Sequence, residues 1–161
     1  MSNMRICPVS TQEQIEAVRV LFQEYAAWLG VDLCFQRFSE ELAALPGAYA
    51  PPGGRLFLAT DGNQAAGCAA LRPISRTMCE MKRLYVRPAF QRRGQGKKLS
   101  KAIIDSAGEI GYSTIVLDTL RRMTPAIQLY KTLGFVERSP YYETPLQDTV
   151  FMELRLSANI A

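Results

Sequence analysis

The chain has 161 residues, 48% hydrophobic and 21% charged, a size and balance that predict one globular domain over residues 1–161. It contains no histidine, which removes Ser-His-Asp and Cys-His catalysis, the H-E-x-x-H zinc motif and any imidazole ligand, so no metal is expected. The formal net charge is +4, yet eight of the nineteen basic residues lie between Lys82 and Lys101 with no acid among them, and the other eleven are outnumbered by fifteen acids. That pattern predicts a local anion site, with no nucleic-acid partner. Neither a run of eighteen apolar residues nor a signal-peptide pattern occurs, which predicts a cytoplasmic protein with no membrane partner. The widely spaced Cys7, Cys34, Cys68 and Cys79 read as reduced, mostly buried thiols.

Residues 5–8 suit a short first strand. Ser10-x-x-Glu13 then reads as a capping box that opens a helix with Ile15, Val18, Leu21, Phe22, Tyr25, Trp28 and Leu29 at helical spacing. A shorter helix is expected over 39–45, and strands over 56–60 and 65–71 flank the turn signal Asp61-Gly62, which predicts a hairpin. A third strand over 79–86 ends before Pro88. Gly94 and Gly96 lead into a helix that presents Leu99, Ala102, Ile103, Ser106, Ala107 and Ile110 on one face. Residues 114–119 read as a buried strand, 125–133 as a short helix closed by Gly134, and 135–138 and 150–156 as the last strands. The order predicts an α/β sandwich.

The segment Gln91-Arg92-Arg93-Gly94-Gln95-Gly96-Lys97-Lys98 places two glycines where a loop enters a helix, so successive N–H groups can close on phosphate oxygens. It is not a P-loop, because Lys98 stands where Ser or Thr belongs, and not a dinucleotide fingerprint, because Leu99 replaces the third glycine. By itself the pattern serves equally as a structural turn.

The stretch 79–135 resembles the core of the GNAT superfamily of acyl-CoA N-acyltransferases in two linked places. Gln91-x-x-Gly94-x-Gly96 is similar to the family's pyrophosphate signature and directly follows the strand 80–86. Farther on, Ala126-Ile127-x-Leu129-Tyr130-x-x-Leu133-Gly134-Phe135 is similar to its last core helix and C-cap. The resemblance implies an α/β (α+β) fold: a mixed, mostly antiparallel sheet of six to seven strands, helices on both faces, and a splayed cleft between the strand 80–86 and the strand 114–119. It also implies that backbone groups of Leu84, Tyr85 and Val86 hold the pantetheine arm of acetyl-CoA, while Gln91, Arg92, Arg93, Gly94, Gln95, Gly96 and Lys97 surround its pyrophosphate. Met123 departs from the pattern, standing where many relatives have an asparagine that touches the cofactor.

Only a neutral amine can attack a thioester, so a base is required. Glu80 resembles the catalytic glutamate of the protein-acetylating branch, reaching the amine directly or through a water; the competing reading is a surface glutamate paired with Arg83 or Lys82. Tyr130 is similar to the tyrosine that serves the departing thiolate in relatives, and the competing reading is helix packing. Cys79 points to the opposite face from Glu80 and reads as core. Tyr25, Trp28, Phe35, Arg37, Tyr141 and Tyr142 are the expected wall of an acceptor cleft. The implied activity is acetyl transfer from acetyl-CoA to a primary amine of a small molecule or peptide. A longer acyl-CoA, a non-catalytic acyl-CoA-sensing or partner-binding module, and assembly as a homodimer stay open.

Overall fold

Leu56, Phe57, Leu58 and Ala59 are all buried, and they alternate between two separate hydrophobic cores. A strand with apolar side chains on both sides must be covered on both faces, and that requirement sets the architecture. In the computed structural model, which describes residues 3–157 without the Phe35 side chain, the strands are β1 (Met4–Pro8), β2 (Arg55–Asp61), β3 (Gln64–Pro73), β4 (Met78–Val86), β5 (Thr114–Leu120), β6 (Val136–Arg138) and β7 (Thr149–Arg155). They form one sheet in the order β1-β2-β3-β4-β5-β7-β6, antiparallel throughout except between β4 and β5.

The helices are α1 (Gln12–Leu29), α2 (Phe38–Ala44), α3 (Gln95–Ile110) and α4 (Thr124–Thr132). On one face α1 buries Val18, Leu21 and Phe22 against Leu56, Leu58, Cys68 and Ala70. On the other, α3 and α4 bury Leu99, Ile103, Ala107, Ile127 and Tyr130 against Phe57, Leu71, Met81, Ile115 and Leu117. The expected mixed, mostly antiparallel sheet with helices on both faces is what forms. No described helix is long and apolar enough to cross a membrane.

Two expectations need correction. The capping box of α1 is Thr11 with Gln14, one residue later than Ser10 with Glu13: Thr11 Oγ1 accepts the Gln14 N–H at 3.1 Å, and Gln14 Oε1 accepts the N–H of both Thr11 and Ser10. Gln14 stands at the third helical position after Thr11 and satisfies two amides at once, whereas Glu13 falls one position short of it. Of the four cysteines, expected to be mostly buried, Cys68 and Cys79 are buried, Cys7 is half-buried and Cys34 is exposed in the turn before α2.

Two irregularities of β4 shape the cleft. The pairs Cys68↔Tyr85 and Ala70↔Lys82 leave Arg83 and Leu84 opposite the single Ala69, a β-bulge. Arg83 takes a left-handed conformation there, with φ of 58°, which costs an L-residue about 1–2 kcal/mol. Its two-pronged pair with Glu41 of α2, both bonds 2.9 Å, holds it in place. Pairing between β4 and β5 then stops at Glu80↔Val116, so the rest of β4 has a free edge toward β5. This is the expected splay.

Gly67 of β3 fixes the position of that free segment from behind. A Cβ on Gly67 would lie 2.5 Å from the Tyr85 carbonyl oxygen and 3.2 Å from Val86 Cα. Gly67→Ala should therefore push β4 outward, lower the urea-unfolding stability by about 1–3 kcal/mol, and weaken whatever binds along residues 84–86.

Candidate active site

A cavity of about 90 Å³ occupies the point where β4 leaves β5. Lys82, Arg83 and Leu84 of β4, residues 118–120 of β5, and Ala126 and Tyr130 of α4 line it, with Tyr25 and Trp28 of α1 closing the other side. Ala126 and Tyr130 are one helical turn apart and so share a face. Tyr130 is buried, its ring edge-on to Phe135 at 5.8 Å. Burial pushes its phenol well above the usual range, so the hydroxyl keeps its proton and can donate to an anion formed beside it. Cys79 is packed in the same core as Tyr130 but does not line the cavity, and burial pushes its thiol up to about 12, which removes it as a nucleophile.

Glu80 lies one layer behind this cavity. It is 1% exposed; Oε1 accepts the Nε–H of Arg72 at 2.7 Å, Oε2 accepts the hydroxyl of Tyr141, and Lys82 Nζ is 3.9 Å away. It is therefore not a surface residue, and Arg83 is not its partner. The structure brings Tyr130 and Leu84 together at the cavity while Glu80 joins it from behind, through its neighbour Lys82.

At the end of β4, Gln91 Nε2 donates to the Val86 carbonyl at 2.9 Å, which ties the glycine loop to the strand. Gly94 is the N-cap of α3 in a left-handed conformation, φ 77°, and supplies no side-chain cap. The first amides of a helix have no partner within it, and the helix dipole makes them a site for anions. The basic cluster is narrower than the sequence implied. Lys82 and Arg83 are buried in the cleft, Arg87 pairs with Glu24 at 2.6 Å, and Arg93 approaches Asp61 at 3.7 Å. Arg92, Lys97 and Lys98 are exposed around the helix start and form no ion pair among the described residues. Gln95 is buried and Tyr85 turns its ring toward α1, its hydroxyl 3.4 Å from Glu24, so both can offer only backbone groups to a ligand at the cleft.

Residues 15–135 match the model of the acetyltransferase (GNAT) family. The chain belongs to the GNAT family of acetyltransferases. Over 158 residues it is 41% identical to an uncharacterised N-acetyltransferase of Schizosaccharomyces pombe, covering 97% of each chain. An acetyltransferase of Streptococcus agalactiae superposes with a TM-score of 0.79 at 20% identity, over 95% of this chain and 98% of that one. The yncA acetyltransferase of Salmonella typhimurium, solved with its cofactor acetyl-CoA, superposes with a TM-score of 0.72 at 21% identity, over 98% and 96%. At such identities the last two likenesses are of fold.

In this GNAT acetyltransferase only some of the residues expected to wall a cleft reach the cavity. Tyr25 and Trp28 line the cavity; Tyr142 reaches it through Asp118, while Tyr141, edge-on to Tyr142 at 5.3 Å, bonds Glu80 behind it. Arg37 does not take part: its left-handed backbone joins the preceding turn to α2, and its side chain, 81% exposed, pairs with Glu40. The Phe35 side chain lies outside the described residues. Sequence reasoning missed Asp118, Lys82 and Gln36 as cavity residues. A carboxylate interrupting the apolar run of β5 is the one signal that pointed to the first of them.

Proposed function

We propose that this acetyltransferase takes its acetyl group from acetyl-CoA and passes it directly to a primary amine of a small molecule or peptide. The observation that carries the reading is the divergence of β4 from β5 after Glu80 and Val116, beside a helix start with no side-chain cap. The free edge of Leu84, Tyr85 and Val86 offers backbone N–H and C=O groups to an extended pantetheine arm, as a sheet edge does to a peptide. Amides from Arg92 to Lys97, the dipole of α3, and the side chains of Arg92, Lys97 and Lys98 suit a pyrophosphate. The fold likeness to a protein solved with acetyl-CoA supports the same co-substrate.

Acetyl-CoA supplies an activated thioester. Tyr130, protonated and buried at the cavity, donates to the departing sulfur, and the amine's proton leaves toward Glu80 through a bridging water. The cavity of about 90 Å³ favours a small amine, or one side chain of a peptide, over a bulky acceptor.

Gly96→Glu tests the cofactor site. A Cβ at Gly96 would meet only Leu129 Cδ2, at 3.4 Å, and an acid in the first turn suits the helix dipole, so the variant should fold. The added charge sits in the first turn of α3, at the helix start proposed for the pyrophosphate, and coenzyme A affinity measured by calorimetry should fall at least tenfold, about 1.4 kcal/mol. Unchanged affinity in the folded variant would place the cofactor elsewhere.

A further inference from the structure

The charged side chains around the cleft are mostly matched: Arg83 with Glu41 at 2.9 Å, and Arg72 with Glu80 at 2.7 Å. Of two that line the cavity, Lys82 is matched only at long range and Asp118 by no cation among the described residues. The Lys82 side chain is 4% exposed; Nζ donates to Oε1 of Gln36 at 3.1 Å and lies 3.9 Å from a Glu80 oxygen that Tyr141 already occupies. Asp118 accepts the Tyr142 hydroxyl and, at 3.5 Å, the Gln36 Nε2 group, and it forms no ion pair among the described residues.

The Gln36 amide stands between these two charges, its oxygen accepting from Lys82 and from Arg83 at 3.0 Å and its nitrogen turned toward the anion. A buried lysine and a carboxylate held apart in one cavity both bear a desolvation cost, which the 3.9 Å approach of Glu80 offsets only in part at Lys82 and which no cation offsets at Asp118. In place of the Gln36 amide, with a hydrogen bond at each end, the gap would take a small molecule that has a positive group and a negative group on one carbon. Burial pushes the Lys82 ammonium down, with Glu80 opposing, and an incoming carboxylate would favour its charged form. A bare ammonium would suit Asp118 but leave Lys82 facing a second positive charge.

We propose that the acceptor amine carries its own carboxylate, as an α-amino acid does, with Lys82 holding that carboxylate and Asp118 facing the ammonium. The inference rests on the acetyl-transfer reading for why an amine enters this cavity at all. It goes further in naming the acceptor's class.

Calorimetry with the common α-amino acids, their methyl esters and the corresponding decarboxylated amines reads the preference without turnover. At least one amino acid should bind tenfold or more tightly than its ester and its amine. Lys82→Met, confirmed as folded by thermal melting, should erase that difference, and in turnover should raise KM for the amino acid far more than it lowers kcat. Equal or undetectable binding of acid, ester and amine to the wild-type protein overturns the proposal, as does an undiminished acid preference in folded Lys82→Met. If amino acids bind selectively yet none releases coenzyme A thiol from acetyl-CoA, the carboxylate site stands and the acetyl-transfer reading falls.

Discussion

Tyr130→Phe should lower turnover by roughly the 10²–10⁴-fold typical of losing a positioned acid, and the loss should persist at every pH where the enzyme is folded. The substitution removes one oxygen and keeps the ring, so the edge-on packing on Phe135 at 5.8 Å survives. Coenzyme A affinity should hardly change, because the proposed arm contacts are backbone groups of β4. Raising the pH supplies neutral amine but does nothing for the departing sulfur, so no alkaline rescue is expected. Saturating-substrate turnover across pH, with calorimetry beside it, measures both points. Wild-type turnover in Tyr130→Phe would mean that water protonates the thiolate and that Tyr130 is a packing residue.

Glu80→Gln should lower turnover by a similar 10²–10⁴-fold, but with a deficit that shrinks as pH rises and free amine accumulates. Glutamine keeps the shape of the side chain and can still accept from Arg72 or Tyr141, so the fold should tolerate it. The two carboxylates near the cleft are distinguished by comparison with Asp118→Asn. Alkaline rescue in Glu80→Gln assigns the amine's proton to Glu80. Rescue confined to Asp118→Asn would move the base into the cavity and leave Glu80 as the anchor for Arg72 and Tyr141.

Much of the fold was legible because the signals were local. Asp61-Gly62 announced the β2–β3 hairpin, and Gly62 does take a left-handed φ of 60°. Helical spacing from Ile15 to Leu29 and from Leu99 to Ala107 gave α1 and α3, and the faces they bury. The bulge was not legible, because arginine is not a residue that signals positive φ. Its conformation at position 83 depends on Glu41, far away in sequence. Without the bulge, simple alternation would put Lys82 and Arg83 on opposite faces, whereas both donate to the same Gln36 oxygen. The same limit hid the partner of Glu80: Arg72 is opposite it only through the β3–β4 register, which no single strand's pattern fixes. Asp118 was read as part of an apolar strand because its neighbours dominate the pattern, and only the stop in β4–β5 pairing opens a cavity beside it.

The reaction proposed for this protein is acetyl transfer from acetyl-CoA to an amine at the β4–β5 divergence. It is tested most directly by incubating the protein with acetyl-CoA and a broad panel of amines, amino acids and peptides, following released coenzyme A thiol and acetylated product by mass spectrometry. At least one acceptor should gain an acetyl group in step with thiol release, and that product should be lost in Tyr130→Phe. Tight binding of acetyl-CoA with no acetylated product anywhere in the panel would contradict it and leave a protein that binds the thioester without using it.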